Sequence, residues 1–151
     1  MHIIEDDLSG PEIRALLEEH FAGMLANSPE ESCHFLDFEG LRGPGVTFWS
    51  IWNDPQLMGC GAMKEIDPAH GEVKSMRTHS AQLRKGAAAA MLEHIIATAR
   101  ERGYRRLSLE TGSTPAFDPA HALYQRYGFE YCGPFADYKE DPFSRFMTLA
   151  L

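Results

Sequence analysis

Hydrophobic and polar positions follow two alternating periods along this chain. After a short extended start at His2–Glu5, the residues Ile13, Leu16, Leu17, His20, Phe21 and Met24 recur at helical spacing. Pro11 suits the first turn of that helix, with Asp7 or Ser9 as its cap. Positions 27–45 lose the period and are rich in breakers, with one short helical turn expected around Phe38–Leu41. Connections of this length often carry function. Strand patterns take over at Val46–Trp52 and Leu57–Ile66, joined by the turn sequence Asn53-Asp54-Pro55-Gln56. A second turn, Asp67-Pro68-Ala69-His70-Gly71, leads into a third strand at Glu72–Thr78, which completes an antiparallel meander.

Helical spacing returns at Gly86–Arg102, where Ala88, Met91, Leu92, Ile95, Ile96 and Ala99 form an apolar stripe and Gly103 stops the helix. Arg106–Thr111 reads as a buried strand. Asp118 is expected to cap, and Pro119 to open, a short helix through Tyr127 that Gly128 ends. Phe129–Cys132 and Phe146–Leu151 supply two final strands. Without repeats, low-complexity tracts or a linker, residues 1–151 are expected to form one α/β domain. Its sheet should be mixed, mostly antiparallel, of about six to seven strands, and flanked by helices.

Composition narrows the function. No stretch approaches the ~20 apolar residues of a membrane span. The first residues are acidic where a signal peptide would be basic, so a cytoplasmic protein is expected. Cys33, Cys60 and Cys132 show no metal-binding spacing and read as free thiols, and no metal is implied. A net charge of −8 argues against nucleic acid as a partner. Its distribution says more: residues 74–106 hold eight of the 14 basic residues and two of the 22 acids, so this window carries +6 and the remainder −14. One basic segment on an acidic protein suits a small polyanionic ligand, although a solvated helix face would look the same.

The window contains a strand, a loop and a helix, Met76 through Leu92, whose helix begins Gly86-Ala87-Ala88. Free N–H groups and a positive partial charge at such a terminus attract anions, and small residues let a phosphate approach. Arg84 and Lys85 oppose the helix dipole by ~0.3–1 kcal/mol each, which an anion seated between them would offset. An alanine-rich core helix with no ligand is the competing explanation.

Leu83-Arg84-Lys85-Gly86-Ala87-Ala88 resembles the acetyl-CoA loop of the GNAT superfamily of N-acetyltransferases, Gln/Arg-x-x-Gly-x-Gly/Ala, with Leu83 at the first polar position. Ala120-His121-Ala122-Leu123-Tyr124-Gln125-Arg126-Tyr127-Gly128-Phe129 resembles the superfamily's A-x-x-L-Y-x-x-x-G-F signature, and the tail from Gly133 to Met147 is similar to that of a small bacterial subgroup. Where many members carry Asn before the second motif, this chain has Phe117-Asp118-Pro119.

The resemblance implies a GNAT-like acyl-CoA transferase fold, acetyl-CoA as co-substrate and a small-molecule or peptide amine as acceptor. It suggests a homodimer, while charge and hydropathy leave no nucleic acid or membrane among the expected partners. Met76, Arg77 and Thr78 would bind pantetheine through their backbone, with Arg84, Lys85, Gly86, Ala87 and Ala88 around the pyrophosphate. Tyr124 would protonate the leaving thiolate, being a phenol of pKa near ~10. Glu72, 14 residues before Gly86, matches the position of a catalytic glutamate; a Glu72–Lys74 surface pair is the rival reading, because alternation puts Glu72, Lys74, Met76 and Thr78 on one face. His79, Glu65 or water could serve as the base instead. Ser32, His34, Asp37 and Tyr138 are the polar candidates for the acceptor site. A non-catalytic acyl-CoA-binding or sensing module with the same fold is the alternative function.

Overall fold

The computed structural model describes residues 1–151. The two periods become seven strands and four helices: β1 (His2–Glu5), α1 (Pro11–Asn27), α2 (Phe38–Leu41), β2 (Val46–Asn53), β3 (Gln56–Asp67), β4 (His70–Thr78), α3 (Ala87–Glu101), β5 (Arg106–Gly112), α4 (Asp118–Arg126), β6 (Glu130–Cys132) and β7 (Ser144–Ala150). They build one sheet in the order β1-β2-β3-β4-β5-β7-β6. Every pairing is antiparallel except β4 with β5, which run parallel.

Each face of the sheet buries its own apolar cluster. On one side α3 contributes Ala87, Met91, Leu92, Ile95, Ile96 and Ala99, which pack with Trp49, Met63, Val73, Leu107, Leu109, Tyr124 and Phe129. On the other, Ile13, Leu16 and Leu17 of α1 join Leu41 of α2 and Phe48, Leu57, Cys60 and Ala62 of the sheet. The α3 stripe therefore starts at Ala87, and Ala88, expected in it, is only half-buried.

Two expected caps are replaced. Gly10 precedes α1 without a side-chain cap, and Asp7 instead accepts from the Ser9 amide at 3.0 Å and its hydroxyl at 2.6 Å. Phe117 precedes α4, so Asp118 occupies the helix's first turn, where its charge complements the dipole. All three cysteines are free thiols, and no helix is long and apolar enough to cross a membrane.

The feature that positions the site lies in the middle of the sheet. β4 and β5 pair only from His70↔Arg106 to Glu72↔Ser108. Beyond Glu72 the remainder of β4 has no β5 partner, so backbone groups along that edge are left open. Against β3 the register jumps from Ala62↔Lys74 to Cys60↔Arg77, an extra residue on β4 centred on Ser75 at φ 56°. Such a bulge kinks the strand and re-aims its side chains.

Candidate functional site

A cleft of about 490 Å³ opens where β4 leaves β5, and residues from both faces of the sheet line it. From the α3 side come Val73, Met76, Ala87, Met91, Leu123 and Tyr124; from the α1 side come His20, Met24, His34, Lys74, Arg77 and Glu110. The bulge explains this division. Lys74 and Arg77 sit opposite Ala62 and Cys60 of the α1-side cluster, whereas a Cβ on Gly61 would meet Met76 Sδ at 2.9 Å and Met91 on the α3 side. Glu72, Lys74, Met76 and Thr78 therefore do not share a face, contrary to simple alternation.

At the cleft's α3 end, Gly86 precedes the helix at φ 86°, a left-handed backbone that glycine adopts without strain. The helix opens on Ala87-Ala88-Ala89-Ala90, and nothing lies within 4 Å of a Cβ built on Gly86, so the approach to its first N–H groups is open. Ala87 and Ala88 line the cleft while Arg84 and Lys85 are exposed beside it. Lys85 Nζ donates to Gln82 Oε1 at 2.8 Å, and Arg84 holds φ 64°. Met76, Arg77 and Thr78 all line the cleft along the unpaired part of β4. An anion and an extended amide-bearing chain both fit this donor set: free N–H groups with two cations at one end, an open strand edge along the wall.

Tyr124 of α4 is 7% exposed, lines the cleft and packs edge-on to Phe129 at 5.7 Å between centroids. Burial pushes its phenol above the usual tyrosine range, so the hydroxyl stays protonated at neutral pH.

Glu72 occupies a different setting from the one expected. Its Oε2 accepts from Lys74 Nζ at 3.1 Å and from Tyr138 Oη at 2.5 Å, and the Glu72 and Lys74 side chains are only 6% and 9% exposed. The pair is buried, not a surface pair. Lys74 also donates to the His34 carbonyl and to Tyr138 Oη, both at 3.1 Å, which occupies all three of its N–H groups. Burial, and next the Glu72 charge, push the Tyr138 phenol up. Together these residues clamp the tail and the connection after α1 onto β4.

Glu110 is the carboxylate that faces the cleft, and no motif in the sequence singles it out. It lies on β5 just past the last pair with β4. Burial raises its carboxyl above the ordinary glutamate range, while His34 and Lys74 nearby act in the opposite sense. Its one signal in the sequence is that of a single acid inside the otherwise buried run Leu107-Ser108-Leu109-Glu110-Thr111.

His79 and Glu65, each expected as a possible base, are engaged away from the cleft. His79 Nδ1 accepts from the Ala81 amide at 3.1 Å, and Glu65 accepts from Tyr104 Oη at 2.8 Å; neither lines the cleft. Among the acceptor candidates, Ser32 is buried and donates to Asp141 Oδ2 at 2.6 Å, and Asp37 caps α2 by accepting from the Gly40 amide at 2.8 Å. Both side chains are engaged within the protein, and neither lines the cleft. His34 and Tyr138 do line a second cavity of about 420 Å³, with Glu31, Lys64, Asp137 and Glu140. His34 and Lys74 border both cavities, so the two adjoin.

Comparison with known proteins agrees with this geometry. The model of the acetyltransferase (GNAT) family matches residues 11–129. The uncharacterized N-acetyltransferase YsnE of Bacillus subtilis is 57% identical over 151 residues, 100% of both chains. A Klebsiella pneumoniae structure assigned as an acyl-CoA N-acyltransferase superposes with a TM-score of 0.80 at 26% identity, covering 99% of this chain and 97% of that one. A GNAT family acetyltransferase from Elizabethkingia anophelis with acetyl-CoA bound shares the fold, with a TM-score of 0.68 at 17% identity over 99% of this chain and 97% of the other.

Proposed function

The chain belongs to the GNAT acetyltransferase family and is an acyltransferase, and from that premise we propose that it transfers acetyl from acetyl-CoA to the primary amine of a small molecule. The observation that carries this reading is the cleft through the sheet, lined by the Tyr124 phenol on one side and the Glu110 carboxylate on the other. Acetyl-CoA supplies the thioester whose acetyl group is transferred. The α3 N-terminus with Arg84 and Lys85 takes its pyrophosphate, and the open edge of β4 at Met76–Thr78 takes the pantetheine amides.

Glu110 receives a proton from the incoming ammonium. A carboxylate raised by burial is a better base than a solvated one, and it lies beside the cavity through which the amine enters. As the C–N bond forms and the C–S bond breaks, Tyr124 gives its proton to the departing sulfur, and the second proton that the nitrogen sheds on becoming an amide returns through the cleft to restore the phenol. Glu72 acts through Lys74 and Tyr138 as a positioning residue, since its Oε2 is already engaged by both. His34 and Tyr138 border the path of the acceptor, and the second cavity, whose acids Glu31, Glu72, Asp137, Glu140 and Asp141 outnumber Lys64, Lys74 and Lys139, favours a cationic amine.

The test is CoA release from acetyl-CoA across a panel of amino acids, polyamines, aminoglycosides and peptides. The expected result is thiol that appears only with particular amines. Acetyl-CoA that binds but is never turned over with any amine would favour a sensing module.

A further inference from the structure

We propose, resting on the transferase reading above, that the acceptor is an amino-carboxylic acid whose carboxylate is held on the α1–β4 wall of the cleft by His20 and Arg77. Two buried nitrogens on that wall have no hydrogen-bond partner in the protein: His20 Nδ1 and Arg77 Nε. His20 is 7% exposed, and both residues line the cleft. Leaving one buried polar group unpaired costs about 1–3 kcal/mol, so these two nitrogens, with the Ser75 hydroxyl that is likewise unpartnered on the cleft lining, point to a ligand that satisfies them.

The chemistry of the pair selects the ligand. Arg77 Nε–H can only donate. Its Nη2 already donates to Glu19 Oε1 at 3.1 Å, and the guanidinium runs beside Gly23 of α1, where a Cβ would stand 3.3 Å from Nη1. Burial, and next the Arg77 cation, push the His20 imidazole down to about 4, so it is neutral at physiological pH and donates from Nδ1 in one tautomer. Two donors, one of them on a cation, fit a carboxylate through charge-assisted hydrogen bonds.

Lys74 is the other cation on the cleft, and it has no N–H left to offer. The carboxylate therefore goes to the α1–β4 wall. The acceptor's amine turns to Glu110 on the opposite strand, and the acids of the second cavity attract its ammonium on entry.

The experiment compares kcat/KM, read by CoA release, for matched sets of an α-amino acid, its carboxamide and its decarboxylated amine. The expected result is at least a tenfold preference for the acids. His20→Leu should bring that ratio close to one while acetyl-CoA affinity, read by calorimetry, stays within twofold. His20→Asn, whose side-chain amide can donate in place of Nδ1, should keep the preference. Amines without a carboxylate turned over as well as the acids would overturn the proposal. So would a His20→Leu variant with weaker acetyl-CoA binding and an unchanged ratio, because the two N–H groups would then serve pantetheine. Failure of every carboxylate-bearing amine, with acetyl-CoA bound normally, overturns it as well. Turnover confined to amines lacking a carboxylate sinks this proposal and leaves the transferase reading standing, whereas loss of acetyl-CoA binding in the wild-type protein sinks that reading first.

Discussion

At the scale of single residues, the proposed chemistry divides between a phenol and a carboxylate set into opposite walls. Tyr124→Phe removes only the proton that goes to sulfur, so kcat should fall by ~10²–10⁴ while acetyl-CoA affinity is kept. Rapid-quench turnover with calorimetry on the same sample checks both. Glu110→Gln and Glu72→Gln should separate base from support. The first should lower kcat/KM by ~10²-fold or more and erase the acidic limb of its pH profile, a limb that burial places above the ordinary glutamate range. The second leaves Lys74 buried without its carboxylate, so it should cost about 3–5 kcal/mol of stability in denaturant unfolding.

His20 adds a pH signature. Its folded pKa of about 4 lies below the unfolded value of 6.5, so between these values the unfolded chain binds the extra proton. Stability from this group is complete above pH 6.5 and is lost as pH falls toward 4, up to about 3 kcal/mol. The slope of melting temperature against pH across that window should flatten in His20→Leu.

At the scale of elements, the strand-to-helix loop before α3 carries the anion-binding expectation. Gly86→Val forces a β-branched residue into φ 86° and places its side chain at the mouth of the helix terminus, so acetyl-CoA should bind at least tenfold more weakly, ~1.4 kcal/mol, in a folded variant. Unchanged affinity there would move the phosphates elsewhere.

Most element boundaries were legible because each rests on local periodicity and its punctuation. The α2 turn at Phe38–Leu41, the stripe of α3 and the stop at Gly128 all follow from neighbours in the chain. The bulge at Ser75 was not legible, because the extra residue shows only in pairing with β3, and it moved Met76 to the other face. The partners of Glu72 escaped for the same reason: Tyr138 lies 66 positions away, and no local pattern joins them. Tyr124 could be found from its signature, whereas Glu110 needed the separation of β4 from β5 to show that its strand borders a cleft.

At the scale of the whole molecule, the proposed entry of the acceptor depends on the charge around the second cavity. Of the basic window, Arg84 and Lys85 stand at the α3 N-terminus, while Arg100, Arg102, Arg105 and Arg106 lie at the far end of α3 and the start of β5. The second cavity is lined by the acids Glu31, Glu72, Asp137, Glu140 and Asp141 and by Lys64, Lys74 and Lys139. Attraction through solvent is screened over a Debye length of ~8–10 Å at physiological salt. For the true acceptor, kcat/KM should fall as salt rises from low to physiological, and Glu31→Gln with Glu140→Gln should flatten that fall. A salt response unchanged in the double variant would assign these acids to solubility alone.

The transfer itself can be watched directly. Acetyl-CoA labelled with ¹³C at the acetyl carbonyl is mixed with the protein and the acceptor panel, and the label is followed by NMR. The thioester resonance should be replaced by an amide resonance only when an accepting amine is present, and far more slowly with Tyr124→Phe. Label that emerges as acetate at the same rate with and without amine, or that stays in the thioester across the whole panel, would contradict the proposed transfer.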